Sequence, residues 1–141
     1  MGDGLVAAAD LGVVRPFAAI EWVDEAKYGR VSADMARAAG KAGALRKFMS
    51  RGEEGLFVQY STLPADFHIP PHSHSQGEVL YVLKGSCTVE PSGEVLGPND
   101  SAVVPANAEY GLRSGAEGME FLTIRAGDSV VTFDKSEKAG R

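Results

Sequence analysis

The chain has 141 residues, the size of one ordinary domain that can bury a single hydrophobic core. Its formal net charge of −5 at pH 7 disfavours binding to nucleic acid or to an anionic membrane surface, so a small organic ligand is the expected partner. A lone cysteine, Cys87, excludes a disulfide framework within the chain. Because the sequence shows no signal peptide and no long apolar run, the expected location is a reducing cytoplasm.

The first residues of the chain give little structural signal. Residues 1–14 have small side chains and no clear period, which fits a loose arm or an edge strand added to a partner. Phe17, Ile20 and Trp22 then offer apolar anchors, which predict an N-terminal lid packed on the rest of the chain. A contact between Trp22 and substrate is the alternative to this packing role.

A short helix is predicted next. Ser32 is a candidate N-cap, and alanines follow it at helical spacing, so we expect a helix near residues 32–39. Gly40 and Gly43 weaken the continuation of this helix. The segment also carries a mild basic cluster, which is expected to be a solvated face: Lys41, Arg46, Lys47 and Arg51.

From Leu56 onward the sequence has the chemistry of β-strands. Short runs rich in valine, leucine, tyrosine and threonine alternate with Gly, Pro, Asn and Ser, which predicts an all-β barrel or sandwich. Residues 84–85 (KG) and 91–93 (PSG) are predicted to be hairpin turns. We therefore expect residues 1–55 to form an N-terminal extension and residues 56–141 to form the barrel, within a single domain.

The most informative stretch runs from Asp66 to Gly85, DFHIPPHSHSQGEVLYVLKG. It places His72, His74 and Glu78 at the spacing H-x-H-x3-E. Residues two apart on a strand point to the same face, so the two imidazoles can aim at one point, and Glu78 begins the next strand after a short polar bend. Two neutral imidazoles and one carboxylate suit a divalent transition metal with open coordination positions.

This stretch resembles the first motif of the cupin superfamily, G-x5-H-x-H-x3-E-x6-G. Every spacing is met, with Asp66 in place of the first glycine and Gly85 as the last. Asp tolerates the left-handed backbone that the first glycine position needs. The resemblance implies a double-stranded β-helix, that is, a jelly-roll barrel, over about residues 56–126.

The second motif of the family, G-x5-P-x-G-x2-H-x3-N, is only partly present. Pro105 matches, and Asn99 and Asn107 take the glycine positions, where asparagine can keep a positive φ. The family's histidine falls on Tyr110, and its closing asparagine falls on Ser114. The usual site of three histidines and one glutamate therefore cannot be carried over whole.

Tyr110 has three open roles. It could ligate the metal as a phenolate, if a close cation lowered the phenol pKa from its reference value near 10. It could lie one step from the metal as a proton donor or hydrogen-bond partner of substrate, the role that we prefer. Its ring could also simply fill the mouth of the barrel. We therefore name His72, His74, Glu78 and Tyr110 as candidate metal ligands and Tyr110 as the candidate catalytic residue.

Other side chains near the motif are weaker candidates. Gln76 could join or replace Glu78, although an amide is a poorer ligand than a carboxylate. His68 shares strand parity with His72, but two prolines intervene, so we expect it at the rim rather than in the metal shell. Tyr81 and Cys87 are expected to pack in the core.

The resemblance is nearest to small cupins of the dioxygenase type, which act on diketone or hydroxyketone substrates. It implies mononuclear Fe(II), with Mn, Ni or Zn as alternatives, and a small carbonyl-containing substrate. Two other classes stay open, a non-redox metal-dependent isomerase or lyase and a small-molecule-binding sensor without catalysis. A homodimer is also expected, because small cupin barrels leave apolar sheet edges that an N-terminal segment can cover.

Overall fold

The structure is a computed structural model that describes residues 6–8, 12–25, 33–127 and 131–133. One helix, α1, spans Ala33–Ala42, and short 3-10 turns lie at Phe17–Ala19 and Glu53–Gly55. The strands of the described residues are β1 (Val6–Ala8), β2 (Gly12–Val14), β3 (Leu45–Arg51), β4 (Phe57–Leu63), β5 (His68–His74), β6 (Glu78–Glu90), β7 (Val95–Leu96), β8 (Ser101–Val104), β9 (Tyr110–Arg125) and β10 (Val131–Phe133).

An eight-stranded antiparallel sheet forms the body of the molecule. Its main path runs β10-β5-β9-β4-β3, while β6 pairs with β7, β8 and β9. The long strand β9 pairs with β6 over most of its length, with β5 near its start and with β4 near its end. Because one strand bridges three others, the sheet curls on itself, and the predicted all-β jelly-roll architecture is confirmed.

The inner face of this curled sheet holds the hydrophobic core. Along β4 the side chains alternate strictly between buried and half-buried, as expected for a strand with one face turned inward. Val82 is 0% exposed and Cys87 is 1% exposed, so the core position expected for the cysteine is correct. The core cluster comprises Leu63, Leu80, Val82, Cys87, Leu112, Met119 and Phe121.

Of the two predicted hairpin turns, one is correct and one is wrong. At 91–93 the chain does turn back, since the backbone N–H of Gly93 donates to the Val89 carbonyl at 2.7 Å and β6 pairs with β7. At 84–85, in contrast, β6 continues without turning, and Gly85 marks an irregularity in its pairing with β9. Gly85 has φ of 74°, and a Cβ there would lie 2.0 Å from the Gly118 carbonyl oxygen. The motif therefore ends in a glycine because two strands approach closely at that residue.

The three positions where other residues replace the motif glycines keep a left-handed backbone. Asp66 has φ of 54°, Asn99 has φ of 70°, and Asn107 has φ of 66°. Asp and Asn adopt this region at less cost than other side chains with a Cβ. The prediction that Asp and Asn keep a left-handed backbone at these glycine positions is confirmed.

The helix is longer than the sequence predicted. It includes Gly40 and ends at Ala42, and the next residue, Gly43, has φ of 98°. The Ala44 N–H donates to the Ala39 carbonyl at 2.9 Å and the Gly43 N–H donates to the Gly40 carbonyl at 3.0 Å, the two bonds of a Schellman motif. A glycine predicted to weaken the helix thus closes it, while the candidate N-cap, Ser32, lies outside the described residues.

The prediction of a solvated basic face is wrong for two of its four residues. Arg46 and Lys47 lie on β3, where they are 7% and 6% exposed. Their side chains are covered by the N-terminal segment: Arg46 bonds Glu25, and the Lys47 ammonium donates to the Phe17 carbonyl at 3.0 Å. Burial is tolerated because each cation has close polar partners.

Phe17 and Trp22, on the N-terminal segment, pack on the outer side of β3 and β4. Phe17 and Trp22 contact the Tyr60 ring and the Lys47 ammonium but remain 45% and 43% exposed, whereas Ile20 is buried. Within residues 1–14, β1 and β2 pair with each other as a small antiparallel hairpin.

A domain boundary at residues 55 and 56 stays a prediction, although β3 lies before this boundary and already belongs to the barrel sheet. Among the residues described here, no helix has the length and apolarity needed to span a membrane.

Candidate functional site

The two histidines of the motif lie side by side on β5 and point into the barrel. His72 and His74 are 6% and 7% exposed, while Ser73 between them is half-buried. Their ring centroids are 4.9 Å apart. The prolines before them shift the pairing of β5 with β9 between Ile69 and His72, yet the period of two is kept from His72 onward.

The backbone fixes the tautomer of His72. Its Nδ1 lies 2.9 Å from the carbonyl oxygen of Pro70. A carbonyl oxygen only accepts hydrogen bonds, so Nδ1 carries the proton and Nε2 carries the lone pair. In metal sites, a histidine ligand commonly donates a hydrogen bond from the ring nitrogen that does not bind the metal, and this bond orients the ring. In the neutral form of His72, this contact therefore favours the tautomer that presents the Nε2 lone pair to a metal.

Glu78 is the first residue of β6 and the most completely buried carboxylate at the site. Its side chain is 1% exposed, and its Oε2 accepts a hydrogen bond from the Tyr110 hydroxyl at 3.1 Å. Its Oε1 lies 3.3 Å from Nε2 of His74 and 3.4 Å from Nε of Arg125. Burial raises the pKa of Glu78 above its ordinary value, and the Arg125 guanidinium opposes that rise.

Tyr110 begins β9 directly opposite His72. Its ring centroid lies 4.7 Å from that of His72, and its hydroxyl donates to Glu78. Burial, followed by the negative charge of Glu78, raises the pKa of Tyr110 well above 10. In this arrangement Tyr110 is a neutral phenol that donates a hydrogen bond to the Glu78 carboxylate. Its role toward a metal or a substrate stays a prediction.

These side chains line one wall of a cavity of about 170 Å³ in the barrel. A cavity of about 150 Å³ holds benzene, so this volume suits a ligand of roughly six to eight non-hydrogen atoms. The rest of the lining is mainly apolar and comes from every side of the barrel and from α1; it includes Met35, Leu63, Phe67, Ile69, Leu112, Phe121 and Phe133.

A second wall of the cavity is polar and was not predicted from the sequence. Its side chains come from β3, β4 and β9. Arg46 is paired with Glu25 and donates to Gln59 Oε1 at 2.8 Å, and the Gln59 amide donates to the Ser61 hydroxyl at 3.0 Å. Arg125 faces the same cavity from the end of β9. A signal for Arg125 existed, because it shares strand parity with inward-facing residues two and four positions earlier, Thr123 and Phe121.

The weaker candidates lie outside the ligand group. His68 Nε2 is 2.7 Å from Glu90 Oε1, away from Glu78, as expected for a histidine satisfied at the rim. Gln76 is exposed and does not line the cavity, so nothing in its position supports its replacing Glu78. Trp22 does not line the cavity either. The core position expected for Tyr81 is wrong, because Tyr81 lies on the outer side of β6, where its hydroxyl donates to Asn99 Oδ1 at 2.7 Å.

The donors fit a divalent transition metal in type, in burial and, for His72, in tautomer. Among residues 6–8, 12–25, 33–127 and 131–133, however, no set of three or more His, Cys, Asp or Glu side chains already converges to hold an ion. In this arrangement both Glu78 oxygens contact other side chains, namely Tyr110, His74 and Arg125. The metal site at His72, His74, Glu78 and Tyr110 stays a prediction.

Comparison with known proteins identifies the barrel. A family profile described as "Cupin domain" matches residues 59–125, which include both histidines, Glu78, Tyr110 and Arg125. A search of curated proteins finds no match to this sequence.

Solved structures share the fold at low sequence identity. KdgF from Halomonas sp. superposes with a TM-score of 0.54 at 21% identity, covering 59% of this chain and 79% of that one. Oxalate decarboxylase from Bacillus subtilis gives a TM-score of 0.52 at 21% identity, covering 59% of this chain and 25% of that one. A pumpkin seed globulin gives 0.57 at 14% identity, covering 65% of this chain and 28% of that one. At these identities the likeness shows the fold alone.

Proposed function

Since the chain belongs to the cupin superfamily, we propose that it is a metal-dependent enzyme acting on a small organic molecule in the barrel cavity. His72, His74 and Glu78 would hold the metal. The observation that carries the proposal is that these three donors, all buried, line one wall of a cavity of ligand size. Buried imidazole and carboxylate groups of this kind rarely gather in a cavity without a chemical role.

The first candidate activity is oxidation of a carbonyl-containing substrate by dioxygen. Bound Fe(II), held by two histidines and one carboxylate, supplies open positions for substrate and dioxygen; Mn, Ni and Zn are the alternative metals. The chain's own residues have definite tasks. The Pro70 carbonyl holds the His72 tautomer, the Tyr110 hydroxyl orients Glu78, and the apolar lining excludes water from the ligand.

The second candidate activity is that of a non-redox metal-dependent isomerase or lyase, and one observation supports it. Tyr110 is a half-buried, neutral phenol at the cavity wall, so it can hold or donate a proton to bound substrate. Such a reaction would consume no dioxygen. Ligand binding without any turnover would instead support the sensor alternative.

Oxygen uptake by the reconstituted protein separates these candidates. Protein loaded with Fe(II) under argon would be mixed with aerated buffer and a panel of small diketones and hydroxyketones, and dioxygen would be followed with an electrode. We expect uptake that depends on substrate and is lost in His74→Ala. Substrate conversion without uptake would replace the dioxygenase proposal with the non-redox one.

The proposal includes a homodimer, supported by apolar side chains on the outer face of the barrel. Val103 is 79% exposed and Ile124 is 37% exposed, and both pair across the sheet with Val79. Light scattering at high micromolar concentration should report a dimer that deletion of residues 1–14 weakens. A monomer at that concentration would exclude this part of the proposal.

A further inference from the structure

Arg125 is a buried cation whose hydrogen bonding is incomplete. Its side chain is 5% exposed, and its guanidinium lies 4.6 Å from the centroid of the Phe57 ring. Within the described part of the chain, its hydrogen-bond acceptor is Glu78 Oε1. The distance from Arg125 Nε to this oxygen is 3.4 Å, which is long for a hydrogen bond. A guanidinium has five N–H groups in a planar fork, so most of its donors are not used by this contact.

The other buried arginine of the cavity makes a useful comparison. Arg46 has two hydrogen bonds to Glu25 and one to Gln59, so its guanidinium is tied to protein groups. Arg125 lines the same cavity with one distant carboxylate as its partner. Of the two, Arg125 is the one with donors available to a ligand.

Glu78 has two competing roles at this site. It is the proposed carboxylate ligand of the metal and also the counter-ion of Arg125. A divalent metal beside one carboxylate and one guanidinium leaves an excess of about two positive charges in a buried cavity, which is costly unless an anion enters. The remaining nearby carboxylates do not remove this excess, because Glu25 is paired with Arg46 and Glu90 does not line the cavity.

We infer that Arg125 is the anion-binding residue of the cavity, which takes a carboxylate or similar oxyanion of the substrate when Glu78 is engaged by metal. The inference rests on the proposed function, because the metal competes with Arg125 for Glu78. The bidentate geometry of a guanidinium suits a planar carboxylate. The substrate class is thereby narrowed from any small carbonyl compound to a small organic acid, such as a keto or hydroxy acid.

This arrangement couples metal binding to anion binding. Without a bound anion, a metal that binds Glu78 leaves Arg125 without a counter-ion. When an anion is bound, that anion replaces Glu78 as the counter-ion of Arg125. An organic acid should therefore tighten metal binding, and by linkage the metal should tighten acid binding by the same factor. Couplings between two such sites commonly amount to about 5- to 150-fold in affinity.

The test measures Co(II) affinity by calorimetry on the full chain with and without saturating butyrate, a monocarboxylate that chelates metal only weakly. Butyramide, which has the same shape without the charge, is the control ligand. We expect butyrate, but not butyramide, to tighten Co(II) binding by about tenfold. Arg125→Leu should abolish that gain, while Arg113→Leu, which changes an exposed arginine on the same strand, should keep it.

The outcomes separate the inference from the proposed function. Equal Co(II) affinity of the wild type with and without butyrate would overturn the inference and leave the metal site standing; this result needs no variant to fold. A gain that survives in Arg125→Leu would also overturn it. Failure of Co(II) to bind, or equal binding by a His72→Ala, His74→Ala double variant, would refute the proposed function and the inference together.

Discussion

The two halves of the barrel motif differ in what they have kept. The first half, on β5 and β6, keeps its left-handed backbone positions and its donors: Gly85 has a positive φ, and His72, His74 and Glu78 face the cavity. The second half, on β8 and β9, keeps its turns through Asn99 and Asn107 but presents Tyr110 where the family has a histidine. Backbone requirements and ligand requirements are therefore separable in this fold.

The turn of the second half still serves the site. The Asn107 N–H donates to the His74 carbonyl at 2.7 Å, so this turn holds the strand that carries the histidines. Tyr110 lies beside His72 and bonds Glu78. In the proposed site, the second half therefore positions the predicted ligands of the first half.

The largest effect should come from removing the donors of the first half. A His72→Ala, His74→Ala double variant should purify without metal, whereas the wild type should contain substoichiometric divalent metal, because three ligands hold an ion less firmly than four. Elemental analysis of freshly purified proteins would measure this. His68→Ala is the matched control, since His68 pairs with Glu90, and it should retain wild-type metal. Equal metal in the wild type and the double variant would place the ion elsewhere.

A second large difference should separate the left-handed residues of the two halves. Gly85→Ala should lower the free energy of unfolding by about 3 kcal/mol or more, because the new Cβ would lie 2.0 Å from the Gly118 carbonyl oxygen. Asn107→Ala changes only the tolerance for a positive φ and should cost about 1 kcal/mol. Urea unfolding would compare them, with Asn107→Gly as the control that keeps the conformation. Equal losses for Gly85→Ala and Asn107→Ala would contradict the close-approach argument.

A third prediction concerns Tyr110, the residue that distinguishes the second half. Tyr110→Phe removes the hydrogen bond to Glu78 and should leave metal content nearly unchanged while turnover or ligand affinity falls about tenfold, as expected for one hydrogen bond worth about 1.4 kcal/mol.

Tyr110→His offers the reverse test, because it restores the family's fourth ligand opposite His72 and should raise metal affinity. Metal titrations of wild type, Tyr110→Phe and Tyr110→His would measure these effects. A Tyr110→His variant no better than wild type would show that this position does not serve the metal. Iron-dependent colour lost in Tyr110→Phe would instead support a phenolate ligand.

The smallest effect should be a pH dependence that originates at Glu78. Burial raises its pKa in the folded chain above the ordinary value of 4.5. The folded state therefore favours the protonated acid, and the stability that this gives is present below pH 4.5 and lost as the pH rises through the raised pKa.

Glu78→Gln cannot titrate, so its stability relative to wild type should increase with pH above 4.5 in protein stripped of metal by a chelator. Thermal unfolding at pH values from 4 upward, with Glu109→Gln as an exposed control, would measure this. A gap between Glu78→Gln and wild type that does not vary with pH would contradict the stated environment of Glu78.

The sequence predicted the parts of the site that local geometry determines. The period of two placed His72 and His74 on one face, and the preference of Asp and Asn for positive φ placed the turns. It failed where distant segments decide the environment. Arg46 and Lys47 were predicted to be surface cations, because nothing in the local sequence indicates that the N-terminal segment covers β3. Gly85 was predicted to be a turn residue, because its close approach to Gly118 joins positions far apart in the chain and leaves no local signal.

The central claim, a metal held by His72, His74 and Glu78, is tested most directly by anomalous diffraction from crystals soaked in Co(II). We predict one strong peak in the barrel cavity, about 2.1 Å from a nitrogen of each histidine and bonded to a Glu78 oxygen. A peak away from these three side chains, or no peak in the cavity at millimolar Co(II), would contradict the account.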